Sequence, residues 1–219
     1  MSNLNHDFFW LPNNIPVLSE ADVNLHNPKE KAALFHAVDS NSTELEILSW
    51  LYATIRAFKP NQILETGSWN GIGTLALAHA CKMNNFGKVT TLEMSSQQCD
   101  LVSQKLEELG LQDFVDIQNK NSLIYLKESD KRFDMCFFDS EMSIKTEELQ
   151  VLLDKGLAPQ MAVFHDTSSN KPEEIVTWTE QNKYRADVLQ FTRHPKSTGY
   201  VELPLSRGMI AIYFEGTKK

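Results

Sequence analysis

The most informative part of the chain is the stretch Ile63-Leu-Glu65-Thr-Gly67-Ser-Trp-Asn-Gly71-Ile-Gly73-Thr-Leu-Ala76. It combines a short apolar run that ends in an acid, a turn with three glycines, and the beginning of a helical pattern. Glycine lets the backbone turn tightly and approach a ligand, and the amides at the start of a helix carry partial positive charge. The pattern predicts a strand, a ligand-binding turn and a helix; the alternative is a tight turn that serves packing alone.

A second acid, Glu93, stands twenty residues after Gly73, at the end of the next β-rich run. In nucleotide-binding α/β folds an acid at this place accepts hydrogen bonds from the two ribose hydroxyls. The dinucleotide fingerprint separates its glycines by two and then three positions, whereas the three glycines here are separated by four and then two. The pattern therefore predicts a ligand that contains ribose, and it disfavours NAD.

From about residue 61 onward, β-rich runs alternate with longer helical patterns, which is typical of a parallel sheet with helices on both faces. The helical patterns Ser95–Leu109 and Lys145–Leu153 both end at or near a glycine. The run Phe133–Asp139 is apolar almost throughout, as expected of a central strand buried on both faces. The predicted fold class is α/β, a doubly wound, Rossmann-like sheet. Its seven predicted strands are Gln62–Thr66, Lys88–Met94, Val115–Gln118, Phe133–Asp139, Met161–His165, Ala186–Thr192 and Met209–Phe214.

The two ends of the chain depart from this alternation. Residues 193–208 show no helical period, so they cannot form the crossover that parallel neighbours need, and the last two strands should be an antiparallel pair at the sheet edge. Upstream, Ser42 offers a helix cap ahead of Leu45, and that helix should stop before Pro60. We predict an N-terminal arm or lid over residues 1–41 and one domain over residues 42–219. A solvent-exposed tail is the alternative for residues 1–41.

Charge and composition exclude several classes of protein. Lys and Arg number 21 against 29 for Asp and Glu, which gives a net charge of −8 and opposes binding to the phosphates of nucleic acid. No apolar run is long enough to span a membrane, and the N-terminus lacks the basic and apolar regions of a secretory signal. Cys81, Cys99 and Cys136 are odd in number and widely spaced, so they predict core residues rather than disulfides. We expect a cytoplasmic protein with no nucleic-acid or membrane partner.

Two further acids, Asp139 and Asp166, end neighbouring predicted strands and should face one another at the C-terminal edge of the sheet. Two such carboxylates repel each other unless a cation lies with them. A divalent metal is therefore predicted: Mg²⁺, Mn²⁺ or Ca²⁺ for the oxygen ligands, with other transition metals admitted by His165. A hydrogen-bonded core histidine is the alternative interpretation of His165.

An acid followed by Gly-x-x-x-Gly-x-Gly resembles the first motif of the class I S-adenosylmethionine-dependent methyltransferases. The resemblance runs from about residue 43 to the C-terminus and implies their seven-stranded fold, with an antiparallel last strand. It also implies that S-adenosyl-L-methionine is the cofactor. By this resemblance Glu93 binds the ribose and Met94 lies against the adenine, while Asn121 and Ser122 contact the adenine edge, cap the following helix, or do both. The residues implied around the methionine part are Glu65, Gly67, Ser68 and Gly71. Trp69, inside the glycine turn, and Asp139 are further candidates for cofactor binding, and Trp69 is also a candidate for the wall of an acceptor pocket.

The spacing from Asp139 to His165-Asp166-Thr167 resembles that of the metal-dependent catechol and caffeoyl-CoA O-methyltransferases. It is most like a bacterial branch whose fifth strand ends in His-Asp. The resemblance implies O-methylation of a small hydroxylated acceptor in bacterial small-molecule metabolism, and a homodimer. Asp139 and Asp166 match metal ligands, and the third ligand is open between His165 and Thr167. The alternative for Asp139 is a carboxylate that contacts only the amino group of the cofactor.

The chain departs from that branch at Met142, where those enzymes carry a catalytic lysine or histidine. His165 is then the best candidate base, because the ordinary pKa of histidine lies near working pH. Lys145 is a second candidate, and Asp139 acts in catalysis through the metal it binds. Two other functions stay open: a metal-independent methyltransferase acting on a sugar or peptide-like natural product, and a non-catalytic module that binds S-adenosylmethionine.

Overall fold

The fold is built on a sheet that has seven strands among the residues that the structure describes. The computed structural model describes residues 8–19, 34–168, 177–204 and 206–215. The strands are β1 Gln62–Thr66, β2 Lys88–Glu93, β3 Val115–Asn119, β4 Met135–Phe138, β5 Met161–His165, β6 Ser197–Leu203 and β7 Met209–Phe214. Their order in the sheet is β3-β2-β1-β4-β5-β7-β6. Strands β1 to β5 are parallel, and β7 runs antiparallel to both of its neighbours. The strand order reverses beside β1, and ligands of such sheets bind at the C-terminal edge at this point.

In the described part of the chain six helices flank the sheet: α1 Leu45–Phe58, α2 Ile72–Asn84, α3 Ser96–Leu109, α4 Ser122–Glu128, α5 Met142–Asp154 and α6 Thr177–Gln190. The buried residues of α1, α2 and α3 form one apolar cluster with one face of the sheet, and those of α4, α5 and α6 form a second cluster with the other face. Within β4, Met135 and Phe137 belong to the first cluster, whereas Cys136 and Phe138 belong to the second. The alternation confirms that this apolar strand is buried on both faces, because side chains of a strand point alternately to the two sides.

The prediction of the sixth strand is wrong. Residues 186–190 are the last residues of α6, and a 3-10 turn, Phe191–Arg193, follows them. The strand is Ser197–Leu203, inside the segment that was predicted to be a linker. Val188 is buried in line with Tyr184 four residues earlier, which is the period of a helix face. An edge strand has few buried positions and so little alternation to detect, although the predicted antiparallel edge pair itself is confirmed.

The N-terminal part of the chain packs on the domain where it is described. Trp10 and Leu11 are buried in the same cluster as α1, and the indole of Trp10 donates to Ser49 Oγ at 3.1 Å. Residues 18–19 and 36–37 form a two-residue antiparallel pair. Residues 1–7 and 20–33 of the predicted arm lie outside the described residues. None of the helices in the described ranges is long and apolar enough to cross a membrane.

The start of α1 differs in detail from the prediction. Its N-cap position is Glu44, which makes no capping hydrogen bond with its side chain. The hydroxyl of Ser42, predicted as the cap, donates instead to Asp39 Oδ1 at 3.0 Å. The helix ends at Phe58, before Pro60, as predicted. Glu44 is thereby left free to point its carboxylate elsewhere.

Candidate functional site

A cleft of about 440 Å³ opens at the C-terminal edge of the sheet, where the strand order reverses. It is lined by side chains that follow β1, β2, β3 and β4, together with Asn41 and Ile144. Most of the residues implied for a cofactor meet here, although they come from four different strand ends. The predicted residues in the wall are Gly67, Trp69, Glu93, Met94, Asn121, Ser122 and Asp139.

The glycine turn forms the floor of the cleft because its backbone lies close to the neighbouring strand end. Gly67 has φ +81°, and a Cβ placed on it would lie 2.7 Å from the carbonyl oxygen of Asp139. Only glycine fits such an approach. Gly71 also has a positive φ, but a Cβ there would meet Val102 of α3, and Gly71 is not part of the cleft wall. The first glycine therefore shapes the cleft, and the second packs two helices together.

A small pocket of about 30 Å³ adjoins the cleft beside the turn, and Glu65 and Ser68 line it. Glu65 is buried, and its Oε2 accepts hydrogen bonds from the hydroxyls of Thr74 and Thr91 at 2.5 and 2.7 Å. Burial nevertheless raises the pKa of Glu65 to about 7, since desolvation outweighs the two hydroxyls. The hydroxyl of Ser68 is buried and has no hydrogen-bond partner among the described residues. This pocket thus offers an unsatisfied polar group to a ligand.

The wall opposite the turn carries Glu93, Met94 and Asn121. Glu93 Oε2 accepts from the backbone N–H of Trp69 at 3.1 Å, so the acid that ends β2 also holds the turn. Asn121 Oδ1 accepts from the N–H of Ile124 at 3.1 Å and caps α4, while its Nδ2 lies 3.3 Å from Met94 Sδ. Asn121 therefore caps the helix and lines the cleft at once. Ser122 also lines the cleft, and its hydroxyl hydrogen-bonds to Glu148.

Behind the cleft lies a cluster of six ionisable side chains, which we call the buried charge cluster. Its members are three acids and three bases: Glu44, Asp139, Asp166, Lys145, His165 and Arg207. The imidazole of His165 lies between two acids, with Nδ1 2.9 Å from Asp139 Oδ1 and Nε2 2.6 Å from Glu44 Oε2. His165 is fully buried, so both of its nitrogens are engaged within the protein.

Lys145 and Arg207 supply the other two cations of the cluster. Lys145 Nζ lies 2.9 Å from Asp166 Oδ2 and 3.4 Å from Asp139 Oδ1, and its side chain is fully buried. Arg207 Nε donates to Asp166 Oδ1 at 3.0 Å, and the backbone N–H of Arg207 donates to Glu44 Oε1 at 2.7 Å. The hydroxyl of Thr43 donates to Asp139 Oδ2. Each carboxylate thus meets at least one cation.

The mutual pairing shifts every pKa in the cluster toward the charged form. Burial alone would raise the pKa of Glu44, but His165 and Arg207 outweigh it and lower that pKa to about 2. Burial would likewise lower the pKa of His165, but Asp166, Asp139 and Glu44 raise it to about 10. The pKa of Asp166 is held well below its usual range by Lys145, His165 and Arg207, against the effect of burial. At neutral pH three negative charges therefore face three positive ones.

The predicted metal ligands are brought together, but their surroundings do not fit a metal. One oxygen or nitrogen from each of Asp139, His165 and Asp166 lies within 4.8 Å of the others. The ammonium of Lys145 already contacts one oxygen of each of the two carboxylates. A metal also needs a histidine nitrogen with a free lone pair, and both nitrogens of His165 contact carboxylates. The hydroxyl of Thr167, the other predicted third ligand, is buried without a hydrogen-bond partner among the described residues.

Four residues of the site were missed from the sequence. Glu44 and Arg207 complete the charge cluster, Thr43 holds Asp139, and Asn41 lines the cleft. Glu44 lies between Ser42 and Leu45, at the start of a predicted helix, where acids are ordinary. Arg207 lies in the segment that was predicted to be a linker. No local pattern in the sequence could have paired these two residues with His165.

Comparison with known proteins agrees with this architecture. Residues 64–167 match the family model of a methyltransferase domain. An SAH-bound methyltransferase from Podospora anserina shares 20% identity over 80% of both chains, with a TM-score of 0.65. An O-methyltransferase from Streptomyces achromogenes that is involved in tomaymycin synthesis, in complex with SAM, shares 17% identity over 81% of this chain and 83% of its own, with a TM-score of 0.65. An O-methyltransferase from Bacillus cereus in complex with SAH shares 17% identity over 80% and 83%, with a TM-score of 0.62.

At these identities the solved structures establish the fold. None of the curated proteins matches the chain at a significant level. The matched segment begins in β1 and runs through β5 to Thr167, so it includes the glycine turn and the strand ends around the cleft. The strand order and these solved structures give the chain the fold of the class I S-adenosylmethionine-dependent methyltransferases, and residues 64–167 match a methyltransferase domain.

Proposed function

We propose that this protein transfers the methyl group of S-adenosylmethionine to a hydroxyl oxygen of a small molecule, with both bound in the cleft. The observation that carries the proposal is the convergence of Gly67, Glu93, Asn121 and Asp139, from four strand ends, on one cleft. Its volume of about 440 Å³ is in the range of small-molecule sites. The choice of oxygen as the methylated atom rests on the likeness to the two O-methyltransferases.

The chemistry of the wall supports one orientation of the cofactor. We place the adenine between Met94 and Asn121, which offer an apolar surface and an amide. We place the ribose at Glu93, whose carboxylate can accept from both hydroxyls. The methionine part then lies over Gly67 and beside the small pocket of Glu65, where the N-terminus of α2 favours its carboxylate.

The acceptor then approaches Asp139, the one member of the buried charge cluster in the wall of the cleft described here. A carboxylate offers about four lone-pair sites, and Thr43, Lys145 and His165 use three of them. We assign the remaining site to the acceptor hydroxyl. Asp139 thereby turns a lone pair of the hydroxyl oxygen toward the methyl carbon.

The transfer is an in-line displacement in which the new C–O bond forms as the C–S bond breaks. The sulfonium becomes the neutral thioether of S-adenosylhomocysteine, and the hydroxyl proton leaves to Asp139 or to water. Lys145 and His165 were predicted as bases, but both are fully buried behind Asp139. We therefore assign them the positioning of Asp139. The small-molecule acceptor, a homodimer and a cytoplasmic location remain predictions.

Calorimetric titration with S-adenosylmethionine, S-adenosylhomocysteine and NAD tests the cofactor. Binding of the first two and not of NAD is expected. Glu93→Ala should weaken S-adenosylmethionine binding by about 10- to 100-fold, since hydrogen bonds to a charged group contribute about 1.5 to 3 kcal/mol. Glu107→Ala, an exposed acid on α3, is the matched control. Equal affinity in both variants would show that Glu93 does not bind the ribose, and binding of NAD alone would overturn the proposal.

Transfer of a labelled methyl group to a panel of hydroxylated compounds tests the reaction. Asp139→Asn should lower turnover far more than it lowers cofactor affinity, because the amide cannot accept a hydrogen bond at both positions. If turnover and cofactor affinity fell equally, Asp139 would act only as a contact to the cofactor. Binding of S-adenosylmethionine without transfer to any acceptor would favour the non-catalytic module.

A further inference from the structure

The buried charge cluster lies where the sequence predicts a divalent metal, yet its two candidate bridging carboxylates already share a cation. Lys145 Nζ lies 2.9 Å from Asp166 and 3.4 Å from Asp139, and it also donates to the carbonyl oxygen of His165 at 3.3 Å. All three donors of the ammonium therefore have acceptors. The lysine side chain is fully buried, so it holds this place without access to solvent.

The rest of the donor set is also in use. Both oxygens of Asp166 are paired, one with Lys145 and the other with the guanidinium of Arg207. Both ring nitrogens of His165 contact carboxylates. A divalent cation bound here would have to displace the ammonium and would meet the guanidinium as a like charge.

From this geometry we infer that Lys145 is the resident cation of the site, in the place that a divalent metal would take. The protein then binds no catalytic metal, and Asp139 is kept charged by lysine, arginine and histidine side chains. A consequence for the substrate follows, and this part rests on the proposed function. Without a metal, two adjacent oxygens cannot be chelated, so the acceptor is recognised through a single hydroxyl.

Metal binding by the full-length protein tests the inference independently of activity. The metal content of protein purified without chelators should be far below one ion per chain. Thermal melting should be unchanged by Mg²⁺, Mn²⁺ or Ca²⁺ and by EDTA. One tightly held ion per chain, or a melting temperature that falls on chelation, would overturn the inference.

A variant that removes the ammonium of Lys145 should create a binding site for a divalent metal in its place. Lys145→Ala leaves Asp139 and Asp166 without their shared cation, and such a carboxylate pair attracts a divalent ion. We expect its affinity for Mn²⁺, measured by electron paramagnetic resonance, to exceed that of the unmodified protein at least about tenfold. Lys127→Ala, which removes an exposed lysine paired with Glu147, is the matched control and should gain nothing.

A folded Lys145→Ala variant that binds Mn²⁺ no better than the control would count against the inference. If the variant does not fold, the metal content and the melting temperature of the unmodified protein still test the inference. For the substrate, EDTA should leave methyl transfer unchanged, and phenol should be methylated at least as efficiently as catechol. Strong preference for catechol that EDTA removes would overturn the single-hydroxyl consequence. Methyl transfer to neither compound would argue against the proposed function, while the metal measurements would still test whether Lys145 takes the place of a metal.

Discussion

Replacing Glu44 with glutamine gives the most direct measure of what the buried charge cluster contributes to stability. The carboxylate of Glu44 is fully buried and accepts from His165 Nε2 at 2.6 Å and from the N–H of Arg207 at 2.7 Å. Glutamine has nearly the same shape but no charge. The cluster would then hold two carboxylates against three bases, with little solvent to screen the excess positive charge.

The expected loss of stability is large, although the substitution replaces only one oxygen atom with an amide nitrogen. Removing one partner of a buried ion pair costs about 3 to 5 kcal/mol, because the opposite charge is left uncompensated. With a urea dependence of about 2 to 3 kcal/mol per molar for a domain of this size, the unfolding midpoint should fall by about 1 to 2.5 M. Urea unfolding followed by tryptophan fluorescence would resolve this shift.

Glu46→Gln is the control, since Glu46 lies in the same helical turn and also pairs with a histidine. Its partner His36 and its own side chain are both partly exposed. Exposed pairs contribute about 0 to 1 kcal/mol, so the control midpoint should barely move. If Glu44→Gln cost no more than Glu46→Gln, the cluster would not be the tightly coupled, charge-balanced unit inferred here.

Three other predictions concern the turn and its neighbours. Gly67→Ala should abolish cofactor binding and destabilise the protein, because its Cβ would lie 2.7 Å from the carbonyl oxygen of Asp139. Gly156→Ala is the control: Gly156 also has a positive φ, but the space around it is open, so the substitution should lower stability by only about 1 kcal/mol in a melting assay and leave cofactor binding unchanged. The free energy of unfolding should fall as pH rises from about 4.5 to 7, by up to about 1.4 kcal/mol per pH unit. The reason is that the pKa of Glu65 is raised to about 7 in the folded protein, so folding favours its protonated form. In urea titrations the unfolding free energy of Glu65→Gln should depend less steeply on pH, and an unchanged pH dependence would show that another group causes the effect. Trp69→Ala should weaken cofactor or acceptor binding in calorimetry with little change in stability, because the indole is 43% exposed in the cleft wall, whereas a large loss of stability would make it a packing residue.

The glycine turn and the strand ends could be predicted because their signals are local. An apolar run, an acid and glycines at set spacing lie within one short stretch, and parallel strands bring successive C-terminal ends to one edge. Glu65, Gly67, Glu93 and Asp139 follow from these signals and Asn121 from the family resemblance, and all five lie in or beside one cleft. The helix and strand periods also predicted a core on each face of the sheet.

The sixth strand and the charge cluster could not be predicted in the same way. Strand β6 is largely exposed at the sheet edge, so burial leaves little alternation in its sequence. The cluster joins residues that are far apart in the chain: Glu44 lies 121 positions from His165 and 163 from Arg207. The strength of an ion pair depends on distance and burial, and neither is written in the spacing of residues.

The sequence by itself therefore determined the parallel α/β sheet, the ligand-binding turn and the acids at the strand ends, because each follows from a local period or spacing. It also predicted a cation beside Asp139 and Asp166, in the form of a divalent metal. Only the tertiary structure showed that the ammonium of Lys145 contacts both carboxylates, with Arg207 and His165 beside it. Helix α5 and the turn before β7 deliver these charges to one buried point, and that convergence exists only after the chain has folded.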